Sequence, residues 1–133
     1  YYESIIMEYF ELDQIILDMK ANSAFASIKN HIYDAEPVNE DVKPYIILTV
    51  ISDPNQSVVD NKARVEVRVI LESTTTQSEA RLWYKTLNVY FVWNVKMFSG
   101  KEVWKVEMED RQLFPDEMGN KVVLVDYYFH YLT

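Results

Sequence analysis

The stretch NKARVEVRVILESTTTQSE, Asn61 to Glu79, decides the fold, because a strand hands over to a capped helix inside it. From Ala63 to Leu71 every second residue is apolar (Ala63, Val65, Val67, Val69, Leu71), alternating with Arg64, Glu66, Arg68 and Ile70. A two-residue period is what a strand with one buried face produces. Thr76-Gln77-Ser78-Glu79 then places a hydroxyl three residues before a carboxylate, the pattern of a capping box. The order β-then-α is thereby set in mid-chain.

Downstream, Ala80, Trp83, Leu87 and Phe91 follow helical spacing, which predicts a helix from Gln77 to at least Tyr90. Val89, Phe91, Trp93, Val95 and Met97 also alternate as a strand would, so the tail of this helix is ambiguous. Ser99-Gly100 suits a helix end or a hairpin turn equally. Trp104, Val106 and Met108 alternate with Lys105 and Glu107 as a further strand, and Gln112–Asn120, with Pro115 and Gly119, reads as a loop. The chain closes on a strand from Lys121 to about Leu132. Val123, Val125, Tyr127, Phe129 and Tyr131 form one face of it, and Val122, Leu124, Asp126, Tyr128 and His130 the other.

Upstream, Ile5, Tyr9, Leu12 and Ile16 recur at helical spacing with acids opposite, predicting an amphipathic helix over Glu3–Met19. Ala21–Tyr33 reads as a short helix or turn returning Phe25, Ile28 and Ile32 to the core. Asp34–Lys43 is a polar loop. Pro44 opens a strand, Tyr45–Ile51, whose continuous apolar run predicts burial on both faces. This strand should pair antiparallel with Ala63–Leu71. The expected fold class is α+β: an N-terminal helix, a mainly antiparallel β-sheet and a central helix packed on the sheet, in the order α-β-β-α-β-β, as a single domain over 1–133.

Composition sets limits. The chain has 133 residues, enough to bury a core without disulfide or metal support. Its 49% hydrophobic content excludes a disordered chain, and the absence of cysteine removes disulfides, thiolate catalysis and Cys-ligated zinc. The net charge of −8 is uneven: residues 1–60 carry 11 acids against Lys20, Lys29 and Lys43, whereas 61–133 carry 10 acids and 10 bases. Such a surface repels nucleic acid and anionic membranes. No apolar run approaches the roughly 20 residues that span a bilayer, and Glu3, Glu8 and Glu11 interrupt any signal-peptide pattern.

No motif for chemistry emerges. His31 and His130 are the only histidines, in unlike settings, with no HExxH, HxH or Asp-rich loop. Ser73–Thr76 lacks a nucleophile elbow or a phosphate-cradling glycine pattern, and serves as turn and helix cap. Trp83, Trp93, Trp104, Tyr84 and Tyr90 are at core spacing rather than in a pocket pattern. Catalytic, cofactor and metal residues are therefore expected to be absent.

Ile32-Tyr33-Asp34, an acidic Pro-containing loop, and then Lys43-Pro44-Tyr45-Ile46-Ile47-Leu48 resemble bacteriophage tail terminators, also called tail-completion proteins. Glu109-Asp110, Phe114-Pro115-Asp116 and Gly119 leading into an aromatic-rich strand fit the same pattern. The resemblance covers most of the chain as element order and about a dozen residues as motif. It implies a non-enzymatic virion protein without cofactor, present in the host cytoplasm during assembly and then in the virion tail. There a ring, usually hexameric, would cap the tail tube and meet the head connector. Its partners would be copies of itself, the tail-tube protein and the head-connector protein, with no specific nucleic acid and no membrane.

Ring closure needs two different patches meeting on neighbouring subunits. The candidates are Arg64, Glu66 and Arg68 with their mixed charges, and the loop around Phe114 and Pro115. An alternative follows from the strand reading of Leu87–Met97. Paired with Lys101–Asp110 it would make a long hairpin, and the chain would be a nuclear-transport-factor-like cone-shaped α+β domain binding a ligand or protein partner.

Overall fold

The computed structural model describes residues 12–37, 42–53, 61–93, 97–98 and 101–132. Helix α1 (Asp13–Ala21) leads through a 3-10 segment (Ser23–Ile28) to β1 (Ile32–Tyr33). Then follow β2 (Tyr45–Ser52), β3 (Asn61–Leu71), α2 (Gln77–Val92), β4 (Met97–Phe98), β5 (Lys101–Pro115) and β6 (Lys121–Leu132). The strands form one six-stranded sheet in the order β1-β2-β3-β6-β5-β4, antiparallel except for the β1–β2 pair. The α+β class is as expected, with β1 and β4 as two-residue additions.

The alternation of β3 is realised in full. Ala63, Val65, Val67, Val69 and Leu71 are buried, and across the β3–β6 ladder they face Phe129, Tyr127, Val125, Val123 and Lys121. Ile46 and Leu48 of β2 continue this layer, which α1, the 3-10 segment and α2 cover with Ile15, Met19, Phe25, Leu87, Tyr90 and Phe91. Phe91 lies 4.8 Å from the Tyr127 ring and meets Phe129 edge-on at 5.7 Å. Tyr45, Ile46, Ile47 and Leu48 are all buried, so the start of β2 is covered on both faces as its apolar run predicts.

Helix α2 starts where the capping box places it. Thr76 Oγ1 accepts from the Glu79 amide at 3.2 Å while Glu79 Oε1 accepts from the Thr76 amide at 3.0 Å. Such a cap contributes about 0.5–2 kcal/mol. The helix runs on to Val92, which removes the hairpin reading for Leu87–Val92; among the described residues only Met97–Phe98 pair with Lys101–Glu102. Residues 94–96 lie outside the described residues, as does most of the expected Glu3–Met19 helix, of which 12–19 are seen. In α1 the buried residues are Ile15 and Met19, with Leu12 beside them. The docked stripe is Leu12, Ile15 and Met19, with Ile16 partly buried against the same core and Leu17 exposed.

Two expectations are corrected. Gln112–Pro115 is strand rather than loop, because Gln112, Leu113 and Phe114 pair with Leu124, Val123 and Val122. Pro115 ends β5, a position that tolerates a missing N–H. The turn proper is Asp116–Asn120: Asp116 Oδ1 accepts from the Met118 and Asn120 amides at 2.9 Å each, and Gly119 supplies a φ of 83°. Second, Trp104, Val106 and Met108 do not share a face. A bulge between Val103 and Lys105 buries Val103 and Val106 on the helix side and sends Trp104 to the other, 5.1 Å from the His130 ring. β3 lies inside the sheet, between β2 and β6.

Candidate functional site

The sheet has a helix-covered face and an opposite face, and the second gathers four of the five residues singled out by sequence. Arg64, Glu66 and Arg68 project there from β3 by the two-residue period. Phe114 joins them, packed with Tyr33 against Tyr45, Ile47, Ile70 and Val122. Pro115 stays at the exposed end of β5, outside this group.

The charges are paired within the chain. Arg64 Nη2 donates to Asp126 Oδ2 at 2.5 Å, with Asp126 buried to 4% exposure. This bond, and the charge of Asp126, hold the Arg64 guanidinium above its ordinary pKa. Arg68 lies 3.2 Å from Glu66 and 3.3 Å from Glu36, which reaches back from the loop after β1. Asp126 Oδ1 and Arg64 Nε are buried with no hydrogen-bond partner among the described residues. The sequence supplied the arginines but not Asp126, whose role depends on β6 lying beside β3. Its one signal was a carboxylate set among large apolar residues.

Farther along this face, His130 Nε2 meets Glu107 Oε1, and that contact holds the Glu107 carboxyl below the usual range. Lys62 sits 4.2 Å over the Tyr128 ring. His31 lies at the far edge of the sheet, 3.4 Å from the Tyr33 hydroxyl, so the two histidines do not meet. Among the described residues no group of three or more His, Cys, Asp or Glu is placed to hold a metal ion. No described helix is long and apolar enough to cross a membrane.

The covered face has its own polar edge. Tyr90 donates to Asp18 at 2.5 Å, Tyr127 to Asn88 at 2.8 Å, and Tyr131 to Asp53. Burial pushes all three phenols well above their ordinary pKa of 10.0. The tryptophans are dispersed: Trp83 is partly buried in the core, Trp93 is 79% exposed and Trp104 is on the opposite face.

Between α2 and β5 lies a cleft of about 660 Å³. Its lining includes Ala80, Arg81 and Tyr84 on α2, Arg111 and Leu113 on β5, and Val123 on β6. Arg111 stacks 4.6 Å over the Tyr84 ring. Sequence reading did not find this cleft, whose lining comes from α2, β5 and β6, elements distant in sequence.

No protein-family model and no curated protein matches the sequence. The fold is similar to a chain in the virion of a native gene transfer agent particle, at a TM-score of 0.67 and 13% identity over 87% of this chain and 91% of that one. A second solved structure has a TM-score of 0.59 at 13% identity over 92% of this chain and 90% of that one.

Proposed function

We propose that the chain is a non-enzymatic structural subunit of a phage-type particle, acting as a tail terminator. The observation that carries this reading is the backbone likeness to a gene transfer agent virion chain across 87% of this chain. The tail-terminator resemblance of Ile32-Tyr33-Asp34 and Lys43–Leu48 supports it independently. Both map to one structural unit, in which β1 pairs parallel with the start of β2 through Ile32–Ile46 and Tyr33–Ile47.

In this reading subunits close into a ring, six in the family's usual form, on the last ring of the tail tube. The ring blocks further addition and presents a new surface to the head connector. No cofactor takes part. The charge excess of residues 1–60 suits a lumen that passes DNA without holding it, since like charge discourages adhesion. The Arg64/Glu66/Arg68 face and the Phe114–Pro115 corner are the proposed partner-binding residues. On that face Arg64 is paired with Asp126 and Arg68 with Glu66.

The test is composition and tube length. Mass spectrometry of purified particles should find the chain at a low, ring-like copy number, and its deletion should give tubes of uncontrolled length that fail to join heads. Normal-length, head-joined tails without the chain would end this reading.

A further inference from the structure

The cleft between α2 and β5 is a local exception to the acidity of the chain. Its lining holds Arg81 and Arg111 and no carboxylate. Neither arginine makes an ion pair among the described residues. Asp110 is paired across the ladder with Asp126 on the other face, accepting from the Arg111 amide at 2.8 Å and from Gln112 at 3.2 Å. The apolar part of the cleft is Ala80, Val123 and Leu113, and Leu113 is 39% exposed although its ladder partner Val123 is buried. The edge of β5 beside the cleft is open. Among the described residues β4 pairs only with Lys101 and Glu102, so the stretch 103–115 has no outer neighbour. A long open edge is a template for association unless something covers it. Two cations beside an exposed aliphatic floor fit a carboxylate carried next to an aliphatic side chain.

This chain presents such a pair at the tip of its β5–β6 hairpin. Glu117 is exposed there and makes no ion pair among the described residues. Beside it Met118 is 85% exposed, the most exposed large hydrophobic side chain among the described residues. The tip is held from within. Asp116 accepts from the Met118 and Asn120 amides and from the Asn120 side chain, and Gly119 takes the positive φ the turn needs. A backbone ordered in advance lowers the cost of docking. The tip does not fill the cleft of its own chain, since Met118 is no part of that lining. The strand from Gln112 to Pro115 alone spans about 10 Å at roughly 3.3 Å per residue, and Met118 lies beyond it.

We infer that the Arg81/Arg111 cleft receives the Glu117–Met118 tip of a second copy of this chain. The inference deepens the ring reading and rests on it. Glu117 meets the two arginines. Met118, an unbranched side chain that adapts to irregular apolar gaps, covers the Leu113 floor. Tip and cleft are different patches, so each joint leaves a free tip on one copy and a free cleft on the other. Repetition of such a head-to-tail joint closes a ring when the rotation allows. The joint takes in the Phe114–Pro115 corner, which leads into the tip, and leaves the Arg64/Glu66/Arg68 face for other partners. Part of the association should be electrostatic and weaken with salt.

The chain has no cysteine, so introduced thiols report the joint without background. Gln112→Cys marks the cleft and Met118→Cys marks the tip, and both leave every invoked charge in place. A disulfide needs Cβ atoms about 3.5–4.5 Å apart, so a 112–118 bridge can form only between copies. Under oxidation at high protein concentration, a mixture of the two single variants should give covalent heterodimer, and the doubly substituted chain a ladder of multimers. Adding Arg81→Glu and Arg111→Glu to the cleft variant should reduce the heterodimer at least tenfold, with the thermal midpoint little changed. Adding Glu117→Lys to the tip variant should reduce it against an unaltered cleft and restore it against the reversed one. Absence of a 112–118 bridge, a bridge indifferent to the charge reversals, or a doubly substituted chain that stops at the dimer overturns the inference. The tail-terminator reading is decided separately by particle composition: a chain present in tails but without the bridge keeps that reading, and a bridged chain absent from particles loses it.

Discussion

The two faces of the sheet are made by alternate residues of the same strands, yet they solve different problems. On β3 and β6 the helix side is Ala63, Val65, Val67, Val69 against Phe129, Tyr127, Val125, Val123, closed by α1 and α2. The other side is Arg64, Glu66, Arg68 against Tyr128, Asp126, Leu124, with an apolar cluster at one end only. The first face gains stability from apolar area removed from water. The second, covered by no described helix, is held by paired charges whose net contribution is small because they were well solvated before folding. One face is closed by helices and the other is covered by no described helix.

The largest expected effect lies on the covered face. Phe129→Ala removes a fully buried ring and should cost about 3–5 kcal/mol, from the lost transfer energy and the cavity left beneath Phe91. Urea unfolding measures it. Asp126→Ala on the other face should cost less, about 1–3 kcal/mol. It strands Arg64, whose side chain at 36% exposure recovers water. Equal losses in the two variants would mean the faces are not energetically distinct. Arg64→Glu should be worse than Asp126→Ala, since it sets a carboxylate beside buried Asp126.

The smallest effects are in pH, and each limb reports one face. Glu107 is held below its ordinary 4.5 by His130, so its contribution is complete above that value and lost as pH falls through the folded pKa. Glu107→Gln should flatten the acid limb of a stability–pH curve and leave the alkaline limb alone. Tyr90, Tyr127 and Tyr131 are raised, so their contribution is complete below 10.0 and lost above it, as the unfolded phenols ionise first. Tyr127→Phe should flatten only the alkaline limb. A Tyr127→Phe variant with an unchanged alkaline limb would show that this phenol is not shielded.

Local chemistry was legible in the sequence where a pattern and its physical cause both lie within a few residues. The period of Ala63–Leu71 marks a one-sided strand because side chains alternate, whatever lies across from them. The Thr76–Glu79 cap marks a helix start because both of its hydrogen bonds close within one turn. Those two features, with the double-faced aromatic run of β6, determined the α+β class and the element order. What only the tertiary structure decided depends on neighbours distant in sequence. The helical outcome for Leu87–Val92 was settled by Leu87, Tyr90 and Phe91 packing onto β6 and the 3-10 segment. β5 has two register shifts against β6, and the one between Val103 and Lys105 sorts Trp104 from Val106. The Arg64–Asp126 pair joins residues 62 positions apart. No spacing rule reaches that far, because strand pairing rather than chain proximity sets which side chains meet.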